Sequence, residues 1–140
     1  MNSVTTRYLA FVLLAFSATA AKSQELDGLW KLSIRDLKHN EVSTLTIRFT
    51  DKPGQSCMGG DWRQIAVQSA KTSDPRFFPV GEALTYELKG SNLVIGRNEI
   101  CDGYLHLGGK FDGKTAKGRY YAFGLGGGTD LGEFSLHRDR

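Results

Sequence analysis

The chain has 140 residues, 24% of them charged and 40% hydrophobic, and 18 Lys+Arg against 15 Asp+Glu leave a net charge of +3. So mild a positive balance, with basic residues interleaved among acidic ones, excludes a surface built to hold nucleic acid.

Arg7 precedes an apolar run from Tyr8 to Phe16, and the run ends in Ala18-Thr19-Ala20. This is the layout of an export signal cut after Ala20. Nine apolar residues fall short of the roughly 20 that a membrane helix needs, and no later stretch is long and apolar enough to span. A single domain is expected over 21–140, 120 residues around one core, secreted or in a periplasm. Loss of Arg7 lowers its net charge to about +2.

From there on, helical periodicity is absent and period-two alternation recurs between Gly, Pro, Asn and Asp punctuation, the pattern of an all-β domain. The alternation predicts eight strands: Leu29 to Asp36, Ser43 to Thr50, Trp62 to Ser69, Leu84 to Leu88, Leu93 to Arg97, Tyr104 to Phe111, Lys117 to Phe123 and Leu131 to Arg138. The linkers "LKHN", "KGSN" and "DGKT" suit hairpins. Eight strands so linked point to an antiparallel up-and-down barrel, with a Greek-key sandwich as the alternative. Trp30, Leu32, Ile34, Leu45, Ile47, Phe49, Leu84, Tyr86, Leu88, Leu105, Leu107, Phe134 and Leu136 share one parity within their strands and are expected inside. Arg63 and Arg119 share parity with Ile65 and Tyr121, which places them at the start of their strands beside Arg138.

In an up-and-down barrel the first and last strands meet. Trp30 begins one on the inward parity, Arg138 ends the other on the parity of Phe134 and Leu136, and Gly28 lets the chain pass close beneath. The guanidinium is expected over the indole. A Gly-x-Trp opening with a late Arg resembles the calycin barrels, the lipocalins and avidins. That resemblance implies a structural plug made by Gly28, Trp30 and Arg138 at one end of a small barrel. The tight first hairpin of the avidins is missing from "RDLKHNEVST", so biotin binding is not implied, and the second and third lipocalin motifs are not evident.

Alternating strand directions gather the segments at 37–40, 71–83, 97–103 and 124–130 at the opposite end, the mouth. Long loops over a rigid barrel are where function concentrates. Phe77 and Phe78 stand there in an otherwise polar loop, either as a lid over a cavity or as the loop's own anchor. Arg97 and Glu99 flank the mouth end of the fifth strand. Arg97 either clasps an acidic ligand group or pairs with Glu99 or Asp102 at the rim.

Cys57 and Cys101 are the natural disulfide partners of an exported chain. The predicted topology opposes the bridge, because Cys57 precedes the third strand at the plugged end and Cys101 follows the fifth at the mouth. Bridged Cα atoms must lie within about 7 Å. The conflict ends if "CMGGD" climbs back along the barrel, if "RFFPVGEAL" hides another strand, or if the thiols stay free.

"GLGGGTDLG" leads into a strand, whereas phosphate loops lead into a helix, so it reads as a flexible hairpin. His39, His106 and His137 lack metal-ligand spacing. No nucleophile elbow or acid–base carboxylate pair stands out, and no cofactor or catalytic residue is assigned. The expected function is binding of a small, largely apolar ligand, with Phe77, Phe78, Arg97 and Glu99 as its contacts. The alternatives are an exported protein-binding module such as a hydrolase inhibitor, and an envelope scaffold protein.

Overall fold

A computed structural model describes residues 26–101 and 103–139; the expected export signal and Asp102 lie outside them. Eight strands follow in chain order: β1 (Trp30–Asp36), β2 (Glu41–Pro53), β3 (Arg63–Thr72), β4 (Leu84–Lys89), β5 (Asn92–Arg97), β6 (Tyr104–Phe111), β7 (Thr115–Gly124) and β8 (Gly127–Arg138). Each pairs antiparallel with the next, and β8 returns to β1 to close an up-and-down barrel. The glycine-rich stretch is a strand–turn–strand, with Gly124 paired to Gly127 across Leu125 and Gly126.

The turns follow from local hydrogen bonding. The Asp36 carboxylate accepts the backbone N–H groups of Lys38 and Asn40, each at 2.9 Å, and the Asn40 side-chain amide at 3.0 Å. This folds the chain back within a few residues and holds the carboxyl below its ordinary range, chiefly through Asn40. Asp112 does the same for the β6–β7 turn, accepting from Lys114 and Thr115, while Gly113 supplies the positive φ of 89°.

At the plugged end the Arg138 guanidinium carbon lies 4.8 Å from the centroid of the Trp30 ring, and the two residues are direct cross-strand partners. Arg138 also donates to the Asp27 carbonyl at 2.6 Å, and the indole Nε1 donates to the Leu26 carbonyl at 3.1 Å. A Cβ on Gly28, whose φ is +92°, would lie 3.4 Å from the guanidinium. Phe49 and Phe111 pack edge-on against Trp30, and Tyr86 packs against Phe49.

Above this layer the interior is filled. Leu32, Ile34, Leu45, Ile47, Leu93, Leu107 and Tyr120 are all 0% exposed. A water-sized void touching any of them would expose part of it, so side chains occupy the centre.

One expected facing is corrected. In β7 the inward residue is Tyr120, and Tyr121 stands on the outer wall with Arg119, which pairs with Asp130. Arg119 is therefore not beside Arg138, and Arg63 instead pairs with Asp51 at 2.7 Å.

Tight coiling of the wall depends on glycine. A Cβ at Gly132 would stand 1.9 Å from the Arg35 carbonyl oxygen, where β8 crosses to β1. Gly132→Ala forces backbone to move and should destabilise the domain by about 1–3 kcal/mol, readable as a lower denaturant midpoint.

Candidate functional site

The mouth is closed by a loop. Strands β3 and β4 pair only where Arg63–Ile65 meets Leu84–Tyr86, and the 73–83 connection fills the widened seam. Its turn is set by the Asp74 side chain accepting the Arg76 N–H at 2.9 Å. Phe78 points in and is 3% exposed, while Phe77 packs against the core from the rim. Both rings stand edge-on to Tyr120, at 5.6 and 5.2 Å between centroids, and the Tyr120 hydroxyl donates to the Phe77 carbonyl at 2.5 Å.

Burial pushes the Tyr120 phenol up to about 12. The unfolded chain, whose phenol ionises near its ordinary 10.0, loses its proton first. This contribution to stability is complete below about pH 10 and disappears as pH rises towards 12. Tyr120→Phe removes both the hydrogen bond and the ionisation. It should cost about 1–2 kcal/mol near neutral pH and make the alkaline loss shallower, as unfolding near pH 7 and at about pH 11 would show.

The far end of the loop is held electrostatically. Arg97, at the end of β5, donates from Nε and Nη2 to the two carboxylate oxygens of Glu82 at 2.5 and 2.7 Å, and from Nη1 to the Gly103 carbonyl at 3.1 Å. Its side chain is 19% exposed, and the Glu82 contacts hold its pKa above the ordinary value. Among the described residues Arg97 pairs with Glu82, a residue the sequence pattern does not single out, while the expected partner Asp102 lies outside them. Glu99 is tied to the β2–β3 connection: its backbone N–H donates to the Gln55 carbonyl at 3.1 Å, and its φ is 63°.

Gln55 belongs to a flap over 54–62 that connects β2 to β3. The flap lies against the outer wall: Gly54 fits against Thr85 and Arg63 so closely that a Cβ would meet Thr85 Oγ1 at 2.2 Å. Asp61 N–H donates to Glu87 at 2.9 Å, and the buried Trp62 ring lies 5.8 Å from the His106 ring. A Cβ on Gly96, in β5, would stand 2.9 Å from the His106 ring. Burial in this setting lowers the His106 pKa. The flap brings Cys57 to Cys101, and the two form a disulfide with Cα atoms 5.5 Å apart.

The structure therefore brings Phe77, Phe78 and Arg97 to one rim, with Glu82 and Tyr120, and places Glu99 beside the disulfide. Among the described residues no helix is long and apolar enough to cross a membrane. These features define a small, disulfide-bridged, eight-stranded antiparallel barrel. No protein-family model, curated protein or solved structure matches the chain.

Proposed function

We propose that the chain is an exported, calycin-like barrel that binds one small, largely apolar molecule at its mouth. The observation that carries this reading is that loop side chains, Phe77 and Phe78, close the apolar interior there, while strand residues and Leu26 fill it elsewhere. The ligand takes the place of the two rings against Tyr120. Loops that cover binding sites belong to the least stable parts of a fold, and this one is held by the Tyr120 hydroxyl and the Arg97–Glu82 pair. When the loop lifts, Arg97 is available to an acidic group on the ligand, with Glu99 on the flap side of the opening. Export is supported by the sequence of residues 1–20 and by the disulfide, which persists in oxidising compartments.

Saturable binding of anilinonaphthalene sulfonate, an apolar anion, tests the site. Phe77→Ala/Phe78→Ala should bind it at least about tenfold more tightly than the parent. If the double variant unfolds cooperatively yet binds no probe, the mouth is not a ligand site.

A second reading is favoured by Leu37, 66% exposed, and the fully exposed Leu125 at two mouth-end hairpin tips. It makes the chain a protein-binding module that presents these tips to a hydrolase. Immobilised protein would then retain a lysozyme or a secreted protease and lose it on Leu37→Asp/Leu125→Asp. Equal retention by the variant, or none by the parent, would count against it.

A further inference from the structure

The β7–β8 hairpin carries glycines that its own fold does not require. A Cβ at Gly124 or Gly126 would meet nothing within 4 Å, and one at Gly128 would meet only the Ala122 carbonyl at 3.8 Å, an ordinary contact; none of the three has the positive φ that demands glycine. Gly109, Gly118 and Gly132, by contrast, would each drive a Cβ into backbone at 2.2 Å or less. Such glycines leave the hairpin backbone open to close approach from outside.

What lies beside these glycines identifies the visitor. Phe123, the cross-strand partner of Gly128, stacks on Tyr104 with centroids 4.8 Å apart and planes 11° apart, and Tyr121 lies 6.0 Å from it at 28°. All three rings are half-buried on the outer wall. Next along the strand the exposed Arg119 and Asp130 form an ion pair. Hollows of about 210 and 450 Å³ lie on this part of the wall, and both are lined by that pair. The smaller also includes Tyr121, Gly128 and Thr129.

We infer that this face, on the outer wall of the β7–β8 hairpin, is a saccharide site. A pyranose has an apolar face for the aromatic rings and a periphery of hydroxyls that both donate and accept. Those hydroxyls match Asp130 and Arg119 and leave no charged group desolvated without a partner. A wholly apolar ligand would bury the ion pair unsatisfied. A phosphate chain finds a guanidinium already neutralised by a carboxylate. The missing side chains at Gly126 and Gly128 let the sugar ring lie against the hairpin backbone.

The test is amide chemical-shift mapping of the full chain with three probes, triacetylchitotriose, cellotriose and maltotriose, each to about 10 mM. At least one should shift the amides of Tyr121, Phe123 and 127–130 saturably. Tyr121→Ala should weaken that binding on the order of tenfold. Gly128→Val should weaken it at least about tenfold in a domain that still unfolds cooperatively, because its Cβ meets only the Ala122 carbonyl at 3.8 Å and its methyls stand in the trough. If Tyr121→Ala does not fold, Gly128→Val alone decides. Absence of saturable shifts with all three sugars, or binding that Gly128→Val leaves unweakened, overturns the inference.

Discussion

Trp30→Ala should lower stability by roughly 3–5 kcal/mol, the range for truncating a large, fully buried aromatic. The indole is 0% exposed, meets Phe49 and Phe111 edge-on, and donates to the Leu26 carbonyl, an acceptor that its loss leaves without that donor. Arg138→Ala should cost less, about 1–2 kcal/mol, through the lost cation–π contact and the packing of its stem. The two side chains touch, so denaturant unfolding of the parent, both single variants and the double variant should give a coupling of at least ~0.5 kcal/mol. Additive losses would mean that the guanidinium does not hold the indole, and the plug reading would fail.

Removing the disulfide should cost nearly as much. Cys57 and Cys101 are 44 residues apart, and closing a loop of that length restricts the unfolded chain by roughly 4 kcal/mol in the chain-entropy description. Cys57→Ala/Cys101→Ala should unfold at a markedly lower denaturant concentration while the barrel strands persist. The damage should concentrate in the flap, seen as faster hydrogen exchange of the Gly54, Gln55 and Asp61 amides, which bond to Trp62, Asn98 and Glu87 respectively. Unchanged stability would show that flap contacts alone hold 54–62.

Alternation made most of the barrel legible. In β1, β2 and β8 the two parities differ sharply, with Trp30-Leu32-Ile34, Leu45-Ile47-Phe49 and Phe134-Leu136 set against charged or hydroxyl neighbours, so facing and closure follow. In β7 the run "RYYAF" offers aromatic residues on both parities. Facing there is decided by the Tyr120/Tyr121 register shift and by Tyr120 reaching Phe77 across the barrel, and neither is local. The outer-wall stack of Tyr104, Tyr121 and Phe123 was hidden for the same reason, although the glycine run beside it was plain.

The cysteine conflict holds only for strands that lie level. Strands in a barrel are tilted and staggered, and here Leu84 at the start of β4 sits beside Ile65 near the start of β3, with Arg97 next to it on β5. The mouth end of β5 is thereby offset towards the β2–β3 connection. The flap closes the remaining distance along the outer wall, so "CMGGD" does climb back and the directions of the strands stand. Glu82 escaped notice because it lies in a loop, where no periodicity ranks one carboxylate above another.

Native mass spectrometry of the protein purified from its own host tests the mouth site most directly. A non-covalent companion of small-molecule mass is expected, retained by the parent and by Gly128→Val, and at higher occupancy when Phe77 and Phe78 are both Ala. A bare chain mass from parent and variants alike, under conditions that preserve other small-molecule complexes, would contradict it.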